Sequence, residues 1–224
     1  MTKSTGSPRE TPLNHSGSAP STAGFVREAT DADLEAIGRV HAAAMLSSLR
    51  AAHASAHDAP LPAGVEAMVA PPVIAAGWEQ AVSSPPSSAH RVLVAVGESG
   101  EVVGLVGVAP SPDDGANMKK TAGAADGHTV DAGAGAVPVA SRGLEITALG
   151  VAPEWQRRGH GSRLLAAATE HAHAQGADVL LVWAVRGDES LAGFLRGAGL
   201  ERTDSFRRLP VGQGVIEDCW VAAL

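Results

Sequence analysis

One stretch, Leu144–Leu165 (LEITALGVAPEWQRRGHGSRLL), constrains this chain more than any other. Its first half alternates apolar and small residues as a buried strand does, and Pro153 ends the strand because proline cannot donate to a ladder. The cationic, glycine-containing run Gln156, Arg157, Arg158, Gly159, His160, Gly161 follows, with Ser162 opening a helix whose apolar positions are Leu164, Leu165, Ala168 and Ala172. Strand, glycine loop and helix start are the parts of a pyrophosphate cradle. The glycines let backbone N–H groups approach an anion closely, and the helix N-terminus adds unpaired donors and partial positive charge.

Three cradles share those parts. A P-loop needs Lys-Ser/Thr after its last glycine, and Ser162–Arg163 stand there instead. A dinucleotide fingerprint needs a third glycine where Leu164 stands. The pattern V-x-P-x-x-[QR]-[RK]-x-G-x-G with a Leu-rich helix after it resembles the acyl-CoA-binding motif of the GNAT superfamily of N-acetyltransferases.

Composition narrows the partners. The chain has 224 residues, 45% of them hydrophobic and 18% charged, with a net charge of −7. An acidic balance argues against nucleic acid, which calls for a basic surface, and agrees with a cationic amine acceptor. The single cysteine, Cys219, excludes an intramolecular disulfide framework and fits a reducing cytoplasm. No apolar run reaches the roughly 18–20 residues that span a bilayer, and the N-terminus lacks a secretory pattern, so a cytoplasmic protein with no membrane partner is expected.

Taken in order, residues 1–23 are rich in Ser, Thr, Pro and Gly and read as a disordered tail. Phe25–Ala29 reads as a first strand. Thr30-Asp31-Ala32-Asp33 is a capping-box-like start for a helix bearing Leu34, Ile37, Val40, Ala44 and Met45. The string VREATDADLEAIGRVHAAAM resembles the opening strand and helix of GNAT domains, where the first helices wall the acceptor site. Leu46–Val82 is Ala-rich and helical in pieces between prolines. His41, His53 and His57 read as exposed helix histidines, since the last two, at i,i+4, would need a further ligand to hold a metal; one of the three is a candidate to line the acceptor pocket. Trp78 reads as a core or subsite aromatic.

Arg91–Val96 and Glu101–Ala109 form a hairpin through Gly97–Gly100. The Gly/Ala-rich segment 111–142 has no period and reads as disordered or as a flap over the acceptor site. Lys119–Lys120 within it carry no signal of their own. Gly176 stops the glycine-loop helix, and His171 and His173 on it read as solvated. Asp178–Val185 is a strand buried on both faces. Asp188 caps a short helix with Leu191, Phe194 and Leu195 inward, and a terminal hairpin turns about Pro210–Gly214.

The resemblance implies a chemistry. Acetyl transfer from a thioester to an amine needs an anchored CoA, loss of a proton from the ammonium, and departure of a thiolate. Backbone amides around Arg158 to Ser162 hold the pyrophosphate, with Arg157 and Arg158 adding charge, and the strand backbone at Leu149, Gly150 and Val151 pairs with the pantetheine, splaying the sheet into a V. Glu145 falls where a branch of the superfamily carries a glutamate base. A carboxylate in a buried strand is costly without a role or partner, and partial burial moves its pKa toward the range useful for a base. The other reading is a sheet-end glutamate that only positions the amine or points to solvent. Asp188 stands where Asn is usual. Phe194–Leu195 stand where Phe-Tyr is usual, and the chain has no tyrosine.

The expected protein is therefore an α/β (α+β) chain of the GNAT fold. Its mixed, mostly antiparallel, twisted sheet has helices on both faces, in one domain over residues 24–224. The expected activity is transfer from acetyl-CoA to a primary amine of a small molecule or peptide, without a metal. An acyl-CoA-binding sensor or assembly module is the second reading, and a nucleotide-binding protein the third. A homodimer is compatible with any of them.

Overall fold

A computed structural model describes residues 24–111, 142–209 and 215–224. The N-terminal segment, the Gly/Ala-rich segment with Lys119–Lys120 and the Pro210–Gly214 turn lie outside these residues, as do the readings attached to them.

The chain opens with β1 (Phe25–Glu28) and a single 3-10 turn, Asp31–Asp33, before α1 (Leu34–His57). Asp33 fixes this junction. Its carboxylate accepts from the Thr30 N–H at 2.8 Å and takes both terminal nitrogens of Arg27 at 2.7 and 2.8 Å. The prolines then partition the Ala-rich stretch as expected. Asp58 ends α1 in a left-handed conformation (φ 49°), α2 (Ala63–Met68) follows Pro62, and α3 (Pro71–Ser83) starts on two prolines at positions where no helical N–H is needed.

Seven strands form one sheet. They are β1, β2 (Arg91–Val96), β3 (Val102–Pro110), β4 (Gly143–Val151), β5 (Val179–Val185), β6 (Glu201–Arg208) and β7 (Ile216–Ala223), in the order β1-β2-β3-β4-β5-β7-β6. All adjacent pairs are antiparallel except β4–β5. That parallel pair is joined through α4 (His160–Ala174), the crossover a parallel connection requires. Gly176, at φ 68°, stops α4, and α5 (Glu189–Gly197) links β5 to β6.

The period of two along the strands sends alternate side chains into two cores. Leu144, Ile146, Leu180, Val182 and Trp220 pack with Leu164, Leu165 and Ala168 of α4 and Leu195 of α5. On the opposite face, Val92, Val94 and Leu105 pack with Ile37 and Val40 of α1. The continuous apolar run of β5 follows from burial on both sides.

The alternation slips once in β4. Gly107 is opposite Ala148 and Val108 opposite Ile146, so Thr147 is an extra residue without a cross-strand partner on β3. Such a bulge re-aims the side chains around it. Before it the even residues Leu144 and Ile146 face α4; after it the odd residues Leu149 and Val151 do, which leaves Gly150 facing α1.

Candidate active site

β4 and β5 pair only from Gly143–Val179 to Ile146–Val182, although β4 continues to Val151 and β5 to Val185. Beyond Ile146 their pairing ends, and a cleft of about 640 Å³ lies along the end of β4. Its walls are Leu149, Gly150 and Val151 on β4, Ala44, Ser47 and Ser48 on α1, the glycine loop, and the first turns of α5. Toward this cleft the edge of β4 has no strand partner among the described residues. Its backbone groups are therefore the available donors and acceptors. Gly150 allows α1 to close the far wall, for a Cβ there would lie 2.8 Å from that of Ala44.

After Val151, Pro153 starts a one-turn 3-10 segment, Pro153–Trp155, and the Gln156 amide donates back to the Val151 carbonyl at 3.2 Å. Arg157 (φ 62°) and Gly159 (φ 79°) are both left-handed, a conformation glycine adopts freely and arginine only at a cost of about 1 kcal/mol. The first helical bond of α4 runs from the Arg163 N–H to the Gly159 carbonyl at 3.1 Å. The N–H groups of His160, Gly161 and Ser162 thus precede the ladder and are oriented as anion donors. Gln156, Arg157, Gly159, Gly161 and Ser162 line the cleft.

Arg158 and His160 do not line it. The Arg158 guanidinium lies 4.6 Å over the Trp155 ring. The His160 imidazole is buried edge-on to Trp155, with Nδ1 3.1 Å from Arg163. Desolvation first, then the Arg163 and Arg158 charges, hold its pKa below the ordinary histidine value. Only the backbone of these two residues is available to a ligand in the cleft.

At the other wall, Asp188 caps α5 by accepting from the Leu191 N–H at 3.0 Å, and its second oxygen accepts from the Ser48 hydroxyl at 2.5 Å. One carboxylate therefore ties α5 to α1 across the mouth of the cleft. Phe194 lines the cleft. Leu195 does not: it is 0% exposed, inside the core with Leu164 and Ile146. The inward reading of Leu195 agrees with this burial, and its side chain does not reach the cleft. A step of 100° along α5 separates neighbouring residues, and with Ser190, Gly193 and Phe194 turned to the cleft, Leu195 points into the sheet.

Glu145 also lies outside the cleft lining. It precedes the bulge on the face opposite α4, with its side chain 14% exposed and Oε1 3.7 Å from a terminal nitrogen of Arg207. On the same face, α3 lays the Trp78 ring on Gly107, where a Cβ would come within 2.6 Å of it and 2.8 Å of the Thr147 hydroxyl. The Trp78 indole N–H donates to His41 Nδ1 at 3.0 Å, so the neutral imidazole carries its proton on Nε2. Burial lowers the His41 pKa to about 4. The expectation of an exposed histidine fails at His41 for this reason, and again at His171, whose Nε2 lies 3.2 Å from the Ala89 carbonyl. The His53 and His57 rings on α1 lie 4.6 Å apart and tilted by 48°, and no group of three or more metal-binding side chains occurs among the described residues.

Sequence reasoning did not find Trp155, Ala44, Ser47 or Ser48 in the cleft wall. The α1 residues were legible as one helical stripe: Ala44, Ser47 and Ser48 are spaced i, i+3, i+4.

A parallel strand pair whose pairing ends beside a glycine loop and the unladdered N–H groups of α4 forms a cleft suited to an extended, anion-bearing ligand. Residues 66–200 match the acetyltransferase (GNAT) family, and the chain belongs to that family, an acyltransferase. No curated protein matches it in sequence. Among solved structures it is similar to the PaiA N-acetyltransferase of Thermoplasma acidophilum in complex with coenzyme A, with 12% identity, TM-score 0.59, and 90% of this chain and 99% of that one covered. It is also similar to a phosphinothricin acetyltransferase of Sinorhizobium meliloti in complex with AcCoA, with 16% identity, TM-score 0.55, and 90% and 89% covered. A ribosomal-protein-alanine N-acetyltransferase of Brucella melitensis shares 20% identity at TM-score 0.52, with 89% and 99% covered. At such identities the likeness is one of fold. No described helix is long and apolar enough to cross a membrane.

Proposed function

We propose that this chain transfers an acetyl group from acetyl-CoA to a primary amine of a small molecule or peptide, with Glu145 accepting the amine's proton. The observation that carries the reading is the end of β4–β5 pairing at Ile146, with a cleft against the unpaired edge at Leu149–Val151 and the anion site at its end. The donor set fits the cofactor: strand-edge amides for the pantetheine, and the N–H groups of Gly159 to Ser162 with Arg157 for the pyrophosphate. When bound, acetyl-CoA supplies an acetyl thioester, and two neighbouring structures were solved with CoA or AcCoA. Glu145 takes the proton that the ammonium must lose, directly or through water, as the C–N bond forms and the C–S bond breaks. The thiolate leaves on its own stability, since a thiol of pKa about 8.5 is a fair leaving group.

A panel of amines assayed for CoA release tests the activity and identifies the acceptor. On that acceptor, Glu145→Gln lowers kcat by on the order of 10²-fold at neutral pH while acetyl-CoA still raises the melting temperature. Unchanged turnover removes Glu145 from the chemistry. Stabilisation by ATP or NAD but not by acetyl-CoA would overturn the cofactor assignment. The absence of tyrosine and the burial of Leu195 favour one second reading, an acyl-CoA-binding module of low activity. That reading predicts acetyl-CoA binding without CoA release across the panel.

A further inference from the structure

Four strands bring one side chain each to a common point on the face opposite α4. Trp183 is opposite Cys219, and Glu217 is opposite both Val185 and Arg207, which places Trp183, Glu217 and Arg207 on one face of the β5–β7–β6 sheet. Glu145 on β4 shares that face, being one step out of register with the core residues Leu144 and Ile146. The Arg207 guanidinium lies 4.6 Å over the Trp183 ring, its Nε donates to Glu217 at 2.6 Å, and a terminal nitrogen lies 3.7 Å from Glu145.

The walls and the occupant differ in kind. Glu145 and Glu217 are 14% and 12% exposed and fixed on paired strands, whereas Arg207, at 46%, is a long side chain reaching in from the edge strand. An aromatic face flanked by carboxylates is the recognition chemistry of an ammonium or guanidinium. Here the chain's own guanidinium occupies it, beside the carboxylate from which the acceptor's ammonium must be within reach. Both cations cannot hold that position together.

We propose that Trp183, Glu217 and Glu145 form the box that receives the cationic amine of the acceptor, and that Arg207 is a resident cation which the acceptor displaces. This rests on the reading of Glu145 as the acceptor-side base. It narrows the acceptor to amines that are protonated in solution and carried on an alkyl stem able to lie on Trp183, in place of neutral aromatic amines. Arg207 thereby acts as an internal competitor: it keeps the two carboxylates paired when no acceptor is present and raises the acceptor concentration needed to fill the box.

The test is binding in the absence of acetyl-CoA. Butylammonium is titrated into the full chain while the Trp183 indole N–H, identified by its loss in Trp183→Phe, is followed by NMR. Arg207→Ala is expected to bind butylammonium at least about fivefold tighter than the unaltered chain, and Arg207→Ala with Glu217→Gln to lose that gain. Arg207→Met, which keeps the apolar stem, replaces Arg207→Ala if the latter does not fold. Equal or weaker binding in the folded Arg207 variant, or an indole signal that ignores the ligand, overturns the proposal. The two readings separate cleanly. Tighter binding with Glu145→Gln turnover unchanged keeps the box and removes the base; lowered Glu145→Gln turnover with binding indifferent to Arg207 removes the box alone.

Discussion

Gly150→Ala tests whether α1 sets the width of the cofactor cleft. The added Cβ would lie 2.8 Å from the Cβ of Ala44, against the roughly 3.5–4.0 Å at which carbon atoms rest. Helix and strand must therefore move apart by about 1 Å, or the sheet must bend. Overpacking of this kind costs roughly 1–3 kcal/mol, and we take about 2. Ala44→Gly alone removes the opposing methyl and costs about 1 kcal/mol, as glycine does inside a helix. Independent effects would sum to about 3 kcal/mol in the double variant. The double variant relieves the clash, however, so it should lose only about 1 kcal/mol, a coupling of about 2 kcal/mol. Urea denaturation reads the cycle, and calorimetry reads acetyl-CoA affinity, which should fall in Gly150→Ala and recover in the double variant. Additivity within about 0.5 kcal/mol would refute the claim that these two positions define the wall.

Further predictions concern protons and packing. His41 has a folded-state pKa of about 4 against an ordinary 6.5, because burial disfavours its charged form. Its contribution to stability is full above about pH 6.5 and is lost as the pH falls toward 4, by roughly 2–3 kcal/mol. NMR should show the ring neutral at pH 5.5, and a ring that titrates at its ordinary value would refute the burial argument. The Arg27 hydrogen bonds lower the Asp33 pKa from 3.8 to about 2. A second loss of about 2 kcal/mol should therefore appear as the pH falls from about 4 to 2, and should be absent in Asp33→Asn. Leu195→Tyr should destabilise by roughly 1–3 kcal/mol through overpacking without raising turnover. A gain in turnover would place position 195 at the thioester after all.

Where one rule governs a residue, the sequence was sufficient. Pro153 ending β4, Gly176 ending α4 and Asp188 capping α5 each follow from local backbone chemistry, and the glycine loop before α4 was legible from its spacing. Side-chain direction was not legible in the same way. Arg157 and Arg158 read alike as cationic loop residues, yet one lines the cleft and the other stacks on Trp155, a choice made by the left-handed conformation at Arg157 and Gly159. His41 read as exposed because no further ligand was indicated for it; what buries it is Trp78, which lies on a separate helix beyond Pro60 and Pro62.

The bulge at Thr147 links these cases to the chemistry. An uninterrupted β4 would keep the even residues facing α4 beyond Ile146, and Gly150, lacking a side chain, would then meet Leu164 and Phe194 while Leu149 and Val151 drove into α1. One extra residue exchanges the faces. It gives α1 the glycine it needs for close approach, hands Leu149 and Val151 to the α4 core, and leaves Glu145 upstream on the face that holds Trp183, Arg207 and Glu217. On the proposed reading, the same strand offers its edge to the cofactor after the bulge and its carboxylate to the acceptor before it. With Leu195 in the core and no tyrosine in the chain, the hydroxyl that lines the cleft from α5, among the described residues, is that of Ser190. In the proposed mechanism the chain therefore contributes at proton removal from the amine, because a departing thiolate needs less help than an ammonium that must become a nucleophile.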